Sequence, residues 1–315
     1  MLPRLLLLLF VALPLRAVDT AFLFTYFTGN GQDGLHLMWS DDGYTWQPIA
    51  EGRSVMPPRI GTTEVLMRDP CVVQGPDGTY HMVWTSGWHQ NIIGHASTKD
   101  FIHWTPQQAI PVMAHEPEVR NSWAPEVVYD DQAQEFVIFW ASTVPGRFME
   151  TAGASESEFN HRMYATTTKD WQTFTPTRVF YDPGFSVIDA TQHKFDGQLY
   201  WIIKDETRYP PKKHLRVARA ESRQGPFGEL GEPFTPEGLW VEGPTAVTVD
   251  GAVLVYFDAY GDKHYGAMRS TDMVHWENVS ERIKMPFEGT KERVRHGTII
   301  EVPQSLIERL QTELK

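Results

Sequence analysis

The sequence predicts an all-β chain folded as a five-bladed β-propeller, its ring closed by a C-terminal inner strand that joins the N-terminal blade. Three observations predict it: a turn motif that recurs five times, strand-like runs ahead of each copy, and strand sets left incomplete at both chain ends that complete each other.

The turn motif places a hydroxyl or alanine residue ahead of Asp or another turn former and closes on an aromatic. It reads Ser40-Asp41-Asp42-Gly43-Tyr44-Thr45-Trp46, then Ser97 to Trp104, Thr167 to Phe174, an altered copy from Ala220 to Phe227, and Ser270 to Trp276. The closing aromatics lie 58, 70, 53 and 49 residues apart, the length of a four-stranded blade with its loops. Ahead of the turns stand alternating aromatic and β-branched runs such as Tyr80 to Trp84, Phe136 to Trp140, Leu199 to Ile203 and Val253 to Phe257, each with the composition and period of a strand. Hairpin signals such as Pro76-Asp77-Gly78 and Phe195-Asp196-Gly197 precede them.

One more strand candidate precedes each hairpin, at 68–73, 123–129, 187–194, 241–249 and 294–302. The last has no outer strands after it, whereas the first turn motif has no inner strand before it. Pairing the two closes the ring and leaves no open edge between first and last blades. Only 305–314 shows helical periodicity.

Residues 1–17 carry Arg4, an apolar run and Leu15-Arg16-Ala17, the layout of a cleavable signal peptide whose apolar stretch is too short to span a bilayer. The expected domain plan is therefore a signal at 1–17 and a single catalytic propeller at 18–315, secreted or periplasmic, without stable membrane association after cleavage. The full chain has a formal charge of −12, and loss of the two signal arginines leaves 26 basic against 40 acidic residues. Such an acidic protein is a poor partner for nucleic acid or anionic lipid and leaves neutral ligands open. Cys71 is the only cysteine, so no intrachain disulfide supports the fold.

In a propeller the inner strands line the axis, and their starts meet at one mouth. Those starts offer Asp69, Glu126, Asp189, Glu242 and His296. Acids are costly to bury unless paired, hydrated or metal-bound, and repeating that cost blade after blade points to a site. Glycoside hydrolysis needs one carboxylic acid to protonate the leaving oxygen and a second carboxylate to activate water or attack, while a third nearby raises the acid's pKa.

The ordered motifs Arg68-Asp69-Pro70, Trp123-Ala124-Pro125-Glu126, Ile188-Asp189 and Glu242-Gly243-Pro244 resemble those of glycoside hydrolase family 43 and its clan relatives over most of residues 21–302. The resemblance implies Asp69 as general base, Asp189 as modulator of the acid's pKa, Glu242 as general acid, and inversion at the anomeric carbon. It also implies a carbohydrate substrate, of arabinofuranosyl, xylosyl or galactosyl type. His296 resembles the axial histidine that helps hold calcium, mostly through waters. Glu126 is expected to be structural or to support its neighbours.

Trp88, Trp123 and Trp240 are the candidate sugar platforms, and Arg295, with Arg68 and Arg293, a candidate contact to substrate or acids. The segment 144–160 reads as a mobile loop, and Asn160-His161-Arg162 and Lys204-Asp205-Glu206 as solvated loop charge, with a rim contact to sugar hydroxyls the alternative for either. Two rival readings remain. One is another five-bladed enzyme, a fructan hydrolase or a glycoside phosphorylase, although Tyr26 to Asn30 holds no nucleophilic acid. The other is a lectin-like propeller that binds sugar without cleaving it.

Overall fold

The computed structural model describes residues 19–156 and 159–315, so the signal expected at 1–17 lies outside the described residues. Chain order begins with β1 (Thr20–Tyr26), β2 (His36–Ser40) and β3 (Gln47–Pro48) in blade I. Blade II holds β4 (Arg68–Gln74), β5 (Tyr80–Thr85), β6 (Ile93–Thr98) and β7 (Gln108–Ile110), and blade III holds β8 (Trp123–Asp130), β9 (Glu135–Ser142), β10 (Arg162–Thr168) and β11 (Arg178–Tyr181). Blade IV has β12 (Val187–Phe195), β13 (Gln198–Asp205) and β14 (His214–Ala220), and blade V has β15 (Glu242–Val249), β16 (Ala252–Ala259), β17 (His264–Ser270) and β18 (Glu277–Asn278). Then β19 (Gly297–Pro303) returns to blade I, followed by α1 (Gln304–Glu313). Among the described residues no helix is long and apolar enough to cross a membrane.

These strands form five antiparallel sheets, and the first has the order β19-β1-β2-β3. Its closure is a continuous ladder from Tyr26 opposite Gly297 to Thr20 opposite Pro303, so the predicted joining of chain ends is what the backbone does. The fifth inner strand starts at Gly297 rather than 294, which leaves Arg295 and His296 in the segment leading into it.

Alternation along the strands explains why the blades stack. Successive side chains of a strand point to opposite faces. Met82 and Trp84 accordingly pack toward blade I with Leu23 and Leu37, while Val83 between them packs toward blade III with Ile138 and Trp140. Five apolar clusters arise in this way, one between each pair of neighbouring blades. Central strands are thus buried on both faces, and every residue of β16 is buried.

The repeated turn works through its hydroxyl and carboxylate. In the first copy the Ser40 hydroxyl accepts the Gly43 N–H (2.9 Å) and Asp42 accepts the N–H groups of Tyr44 and Thr45 (both 2.7 Å). Thr98 with Asp100, Thr168 with Asp170 and Ser270 with Asp272 repeat it. In all four copies the residue after the Asp has positive φ: Gly43, Phe101, Trp171 and Met273. The altered fourth copy, without Asp, coincides with a three-stranded blade IV. Past it, the N–H groups of Gly228, Gly231 and Phe234 bond to the carbonyls of Arg219, Val217 and Leu215 without forming a ladder.

Two outcomes follow from this architecture. Trp201 is fully buried between blades III and IV, stacked on Phe227 with centroids 4.6 Å apart. Trp201→Ala should lower unfolding stability by about 3–5 kcal/mol, against less than about 0.5 kcal/mol for the exposed Val274→Ala, as read by urea denaturation. The N–H groups of Thr173 and Gln172 hold the Asp170 carboxyl down at about 2. Its folded value lies below the unfolded one, so its stabilisation is complete above about pH 4 and disappears as pH falls through 2. Asp170→Asn should flatten the acid limb of stability between about pH 4 and 2, as read by acid unfolding followed by circular dichroism.

Candidate active site

Four of the five inner strands break register at the same step: between Arg68 and Cys71, Trp123 and Glu126, Ile188 and Thr191, and Glu242 and Thr245. Each break is a bulge containing one left-handed residue, Asp69 (φ 52°), Ala124 (φ 45°), Asp189 (φ 49°) or Gly243 (φ 60°). A bulge re-aims side chains and ends regular pairing, and left-handed non-glycine residues are strained positions that the surrounding fold must hold. Gly243 is glycine for a second reason, because a Cβ there would lie 2.3 Å from His296 Cγ.

This register corrects one expectation. Asp69 and Asp189 are equivalent, Glu242 stands one residue before its bulge residue, and Ala124 occupies the matching place on β8. Glu126 falls two residues later, on a layer with Cys71, Thr191 and Thr245, and lines a cavity of about 370 Å³ that excludes Asp69, Asp189 and Glu242. It accepts a hydrogen bond from the Thr191 hydroxyl (3.1 Å), and burial pushes its carboxyl up to about 7.

The other predicted residues meet. Asp69, Asp189, Glu242, Trp88, Trp123, Trp240, Arg295 and His296 all line one pocket of about 550 Å³. The three acids there sit in different electrostatic settings. Burial works against an ionised Asp69, but His296 Nδ1 at 3.4 Å and Arg68 outweigh it and hold the carboxyl at about 2, with the Thr85 hydroxyl donating at 2.8 Å. Asp189 goes the opposite way: burial, with the negative charges of Glu242 and Asp69, raises it to about 6. It accepts the Gly243 N–H (3.1 Å), which ties it to the Glu242 strand. Glu242 lies between two cations, Arg295 at 2.9 Å and Lys204 at 3.6 Å.

Arg295 is itself fixed by Asp258, fully buried opposite Glu242, which also binds Arg293 (2.6 and 2.7 Å). Arg68 is sandwiched between Phe27 and Trp88, 4.6 and 4.3 Å from the ring centroids, and donates to Asn30 (2.9 Å). Trp88 and Trp123 meet edge to face at 5.4 Å, and the Trp123 indole donates to the Trp88 carbonyl (2.9 Å).

Two segments expected to be solvated charge are in fact buried walls of the pocket. Lys204 bonds Glu206 at 2.8 Å; Glu206 also pairs with Lys213, which reaches Glu156 at 3.1 Å. Both lysines are about 1% exposed. Burial alone would discharge Lys204, yet Glu206 and Glu242 keep it protonated. His161 and Arg162 are likewise buried, because 144–160 is no open loop over its described residues. It carries a 3-10 helix at Met149–Ala154, and the Asn160 side chain bonds Thr151, Ser155 and Phe148 (3.0, 2.8 and 2.8 Å). The one sequence sign for Lys204 was its place in phase with the Leu199–Ile203 strand alternation. Tyr260 and Phe159, also lining the pocket, carried no such sign.

As to calcium, among the described residues no group of three or more His, Cys, Asp or Glu side chains is arranged to hold a metal ion. An ion held mostly through waters would rest on His296 and Glu126.

The chain belongs to a family related to glycoside hydrolase family 43, described as "Probable glycosyl hydrolase domain", which matches residues 19–308. An α-L-arabinofuranosidase of Bifidobacterium longum subsp. longum is 24% identical over 371 aligned positions, covering 92% of this chain and 34% of that protein. The chain thus spans about a third of that relative's length. Among solved structures, an α-L-arabinofuranosidase from Lactobacillus brevis superposes with TM-score 0.53 at 17% identity, covering 67% of this chain and 72% of that one. An exo-β-1,3-galactanase from Clostridium thermocellum gives 0.50 at 14% identity, over 69% and 49%. These structural likenesses show the fold.

The pairing around Asp258 is testable by itself. Asp258→Asn leaves Arg293 and Arg295 without their shared partner and should cost about 3–5 kcal/mol of unfolding stability in urea titrations.

Proposed function

We propose that this chain is a secreted glycoside hydrolase that cleaves arabinofuranosyl or galactosyl linkages, with xylosyl linkages as a further candidate, and inverts the anomeric configuration. The observation that carries the reading is the convergence of Asp69, Asp189 and Glu242 from three inner strands on one pocket, each in a different electrostatic state. The names of the arabinofuranosidase relative and the galactanase neighbour support the sugar classes. The signal-like residues 1–17 and the acidic charge support export and argue against nucleic-acid partners.

Asp69, ionised throughout the neutral range, takes the proton of the attacking water. Glu242, held between Arg295 and Lys204, delivers a proton to the leaving oxygen. Asp189 holds its own proton up to about pH 6, so its charge appears beside Glu242 only above that point. The modulator is thereby itself pH-dependent. Trp88, Trp123 and Trp240 offer apolar faces for the sugar ring, and Arg295 orients Glu242 rather than reaching substrate freely.

Asp69→Asn and Glu242→Gln should each lower kcat on 4-nitrophenyl glycosides by about 10²–10⁴. Glu242→Gln should lose far less on 2,4-dinitrophenyl glycosides, whose leaving group needs no proton, while Asp69→Asn stays impaired. Proton NMR of the first-formed sugar should show the inverted anomer; a retained anomer would overturn the mechanism. Binding of sugars by wild type with no hydrolysis across the panel would establish the lectin-like reading instead.

A further inference from the structure

His161 is the pocket side chain whose chemistry the carboxylate mechanism leaves unused. It directly precedes β10, and its backbone is fixed by the Ser186 hydroxyl, which accepts its N–H (3.1 Å), and by Val187, which donates to its carbonyl (3.3 Å). The ring lies parallel to Phe159, with 3° between planes and centroids 5.5 Å apart, and packs on Trp123 at 5.1 Å. It is about 1% exposed and lines the 550 Å³ pocket. Among the described residues, neither Nδ1 nor Nε2 has a hydrogen-bond partner.

Buried polar groups are normally satisfied, so an imidazole that lines a cavity and is unpaired at both nitrogens among the described residues points to a ligand that completes it. Burial, joined by the nearby cations Lys204, Lys213 and Arg162, outweighs the opposing pull of Glu206 and keeps the ring neutral down to about pH 3. A neutral imidazole offers one donor and one acceptor and no charge. A sugar hydroxyl is the complementary group, being donor and acceptor at once. A carboxylate or phosphate could use only the donor, and the neighbouring lysines are already engaged by Glu206, Glu242 and Glu156.

We propose that His161 is a specificity-determining residue of this pocket: its neutral imidazole pairs with hydroxyl groups of an uncharged sugar ring that Trp123 and Phe159 hold in place. The inference rests on the glycosidase reading of the same pocket and adds the residue that selects the sugar. A site built to bond a hydroxyl rejects the analogue that lacks it, because its own polar group is then left unpaired.

The test compares wild type, His161→Phe and His161→Gln on 4-nitrophenyl α-L-arabinofuranoside and β-D-galactopyranoside and on the monodeoxy analogues of each. Wild type should prefer the parent over one monodeoxy analogue by about 10²-fold or more in kcat/KM. His161→Phe, which keeps the stack on Phe159, should fall on the parent to the level of that analogue and lose the preference; His161→Gln should recover part of it. An unchanged preference in a His161→Phe protein with native circular dichroism overturns the proposal. If wild type cleaves neither parent nor 4-nitrophenyl β-D-xylopyranoside, the glycosidase reading falls instead, and ¹⁵N-histidine NMR with L-arabinose, D-galactose and D-xylose decides the matter of His161. Movement of its ring nitrogens, assigned by their loss in His161→Phe, upholds the role. A sugar that shifts other resonances but not these, or no binding of any of the three, overturns it.

Discussion

A bulge at one step of an inner strand, made four times, is the constraint on which the pocket depends. A regular strand would send Asp69 and Asp189 along the ordinary alternation, toward one blade interface or the other. The left-handed turn at each bulge releases them toward the axis, and the same turn at Gly243 brings that strand close against His296. The strain is borne by a ring in which every blade is locked on both faces by its neighbours. β19 has no such break against β1, and its leading segment supplies His296 and Arg295 instead. Rigidity and the site therefore come from one device, the two-sided burial of the central strands.

Charge in the pocket is arranged as continuous pairing rather than as isolated groups. From Asp258 through Arg295, Glu242, Lys204, Glu206 and Lys213 to Glu156, acids and bases alternate with a contact at each step. Burying any one of these ions alone would be prohibitive, and neighbours of opposite sign make it tolerable. Glu242 is a middle link, flanked by a base on either side. Asp69 lies outside this chain, paired with His296, and Asp189 joins it through the Gly243 amide, whose N–H it accepts. The three acids thus answer to different partners although they share one cavity.

Much of this was legible from sequence, because the repeat carries phase. Once the turn motif marked five blades, the positions just inside each inner strand named Asp69, Asp189, Glu242 and His296 without reference to their neighbours in space. What phase could not show was layer. Glu126 stands in the Trp123–Glu126 motif like a fourth mouth residue, but the bulge gives that place to Ala124 and drops Glu126 deeper into the axis. Lys204, Glu206, His161 and Arg162 read as surface charge because polar residues near strand ends usually are. Their burial comes from contacts between distant segments, Arg162 on Phe148 and Thr151, His161 on Trp123, and Lys204 on Tyr260, which have no local pattern. The missing outer strand of blade IV, by contrast, was foreshadowed by the one turn copy that lacks its aspartate.

The closure of the ring by β1 and β19 also orders events in time. Every blade but the first can pair its strands as the chain emerges, since their partners are neighbours in sequence. Blade I can pair β1, β2 and β3 early, but the inner edge of Thr20–Tyr26 must wait for Gly297–Pro303, and such distant pairing is slow to find. The segment just ahead of β19 carries Arg295 and His296, which fix Glu242 and Asp69. A nascent chain therefore holds Asp69 and Glu242 with Arg68 and Lys204 but without His296 and Arg295, which take their places only in the step that completes the ring.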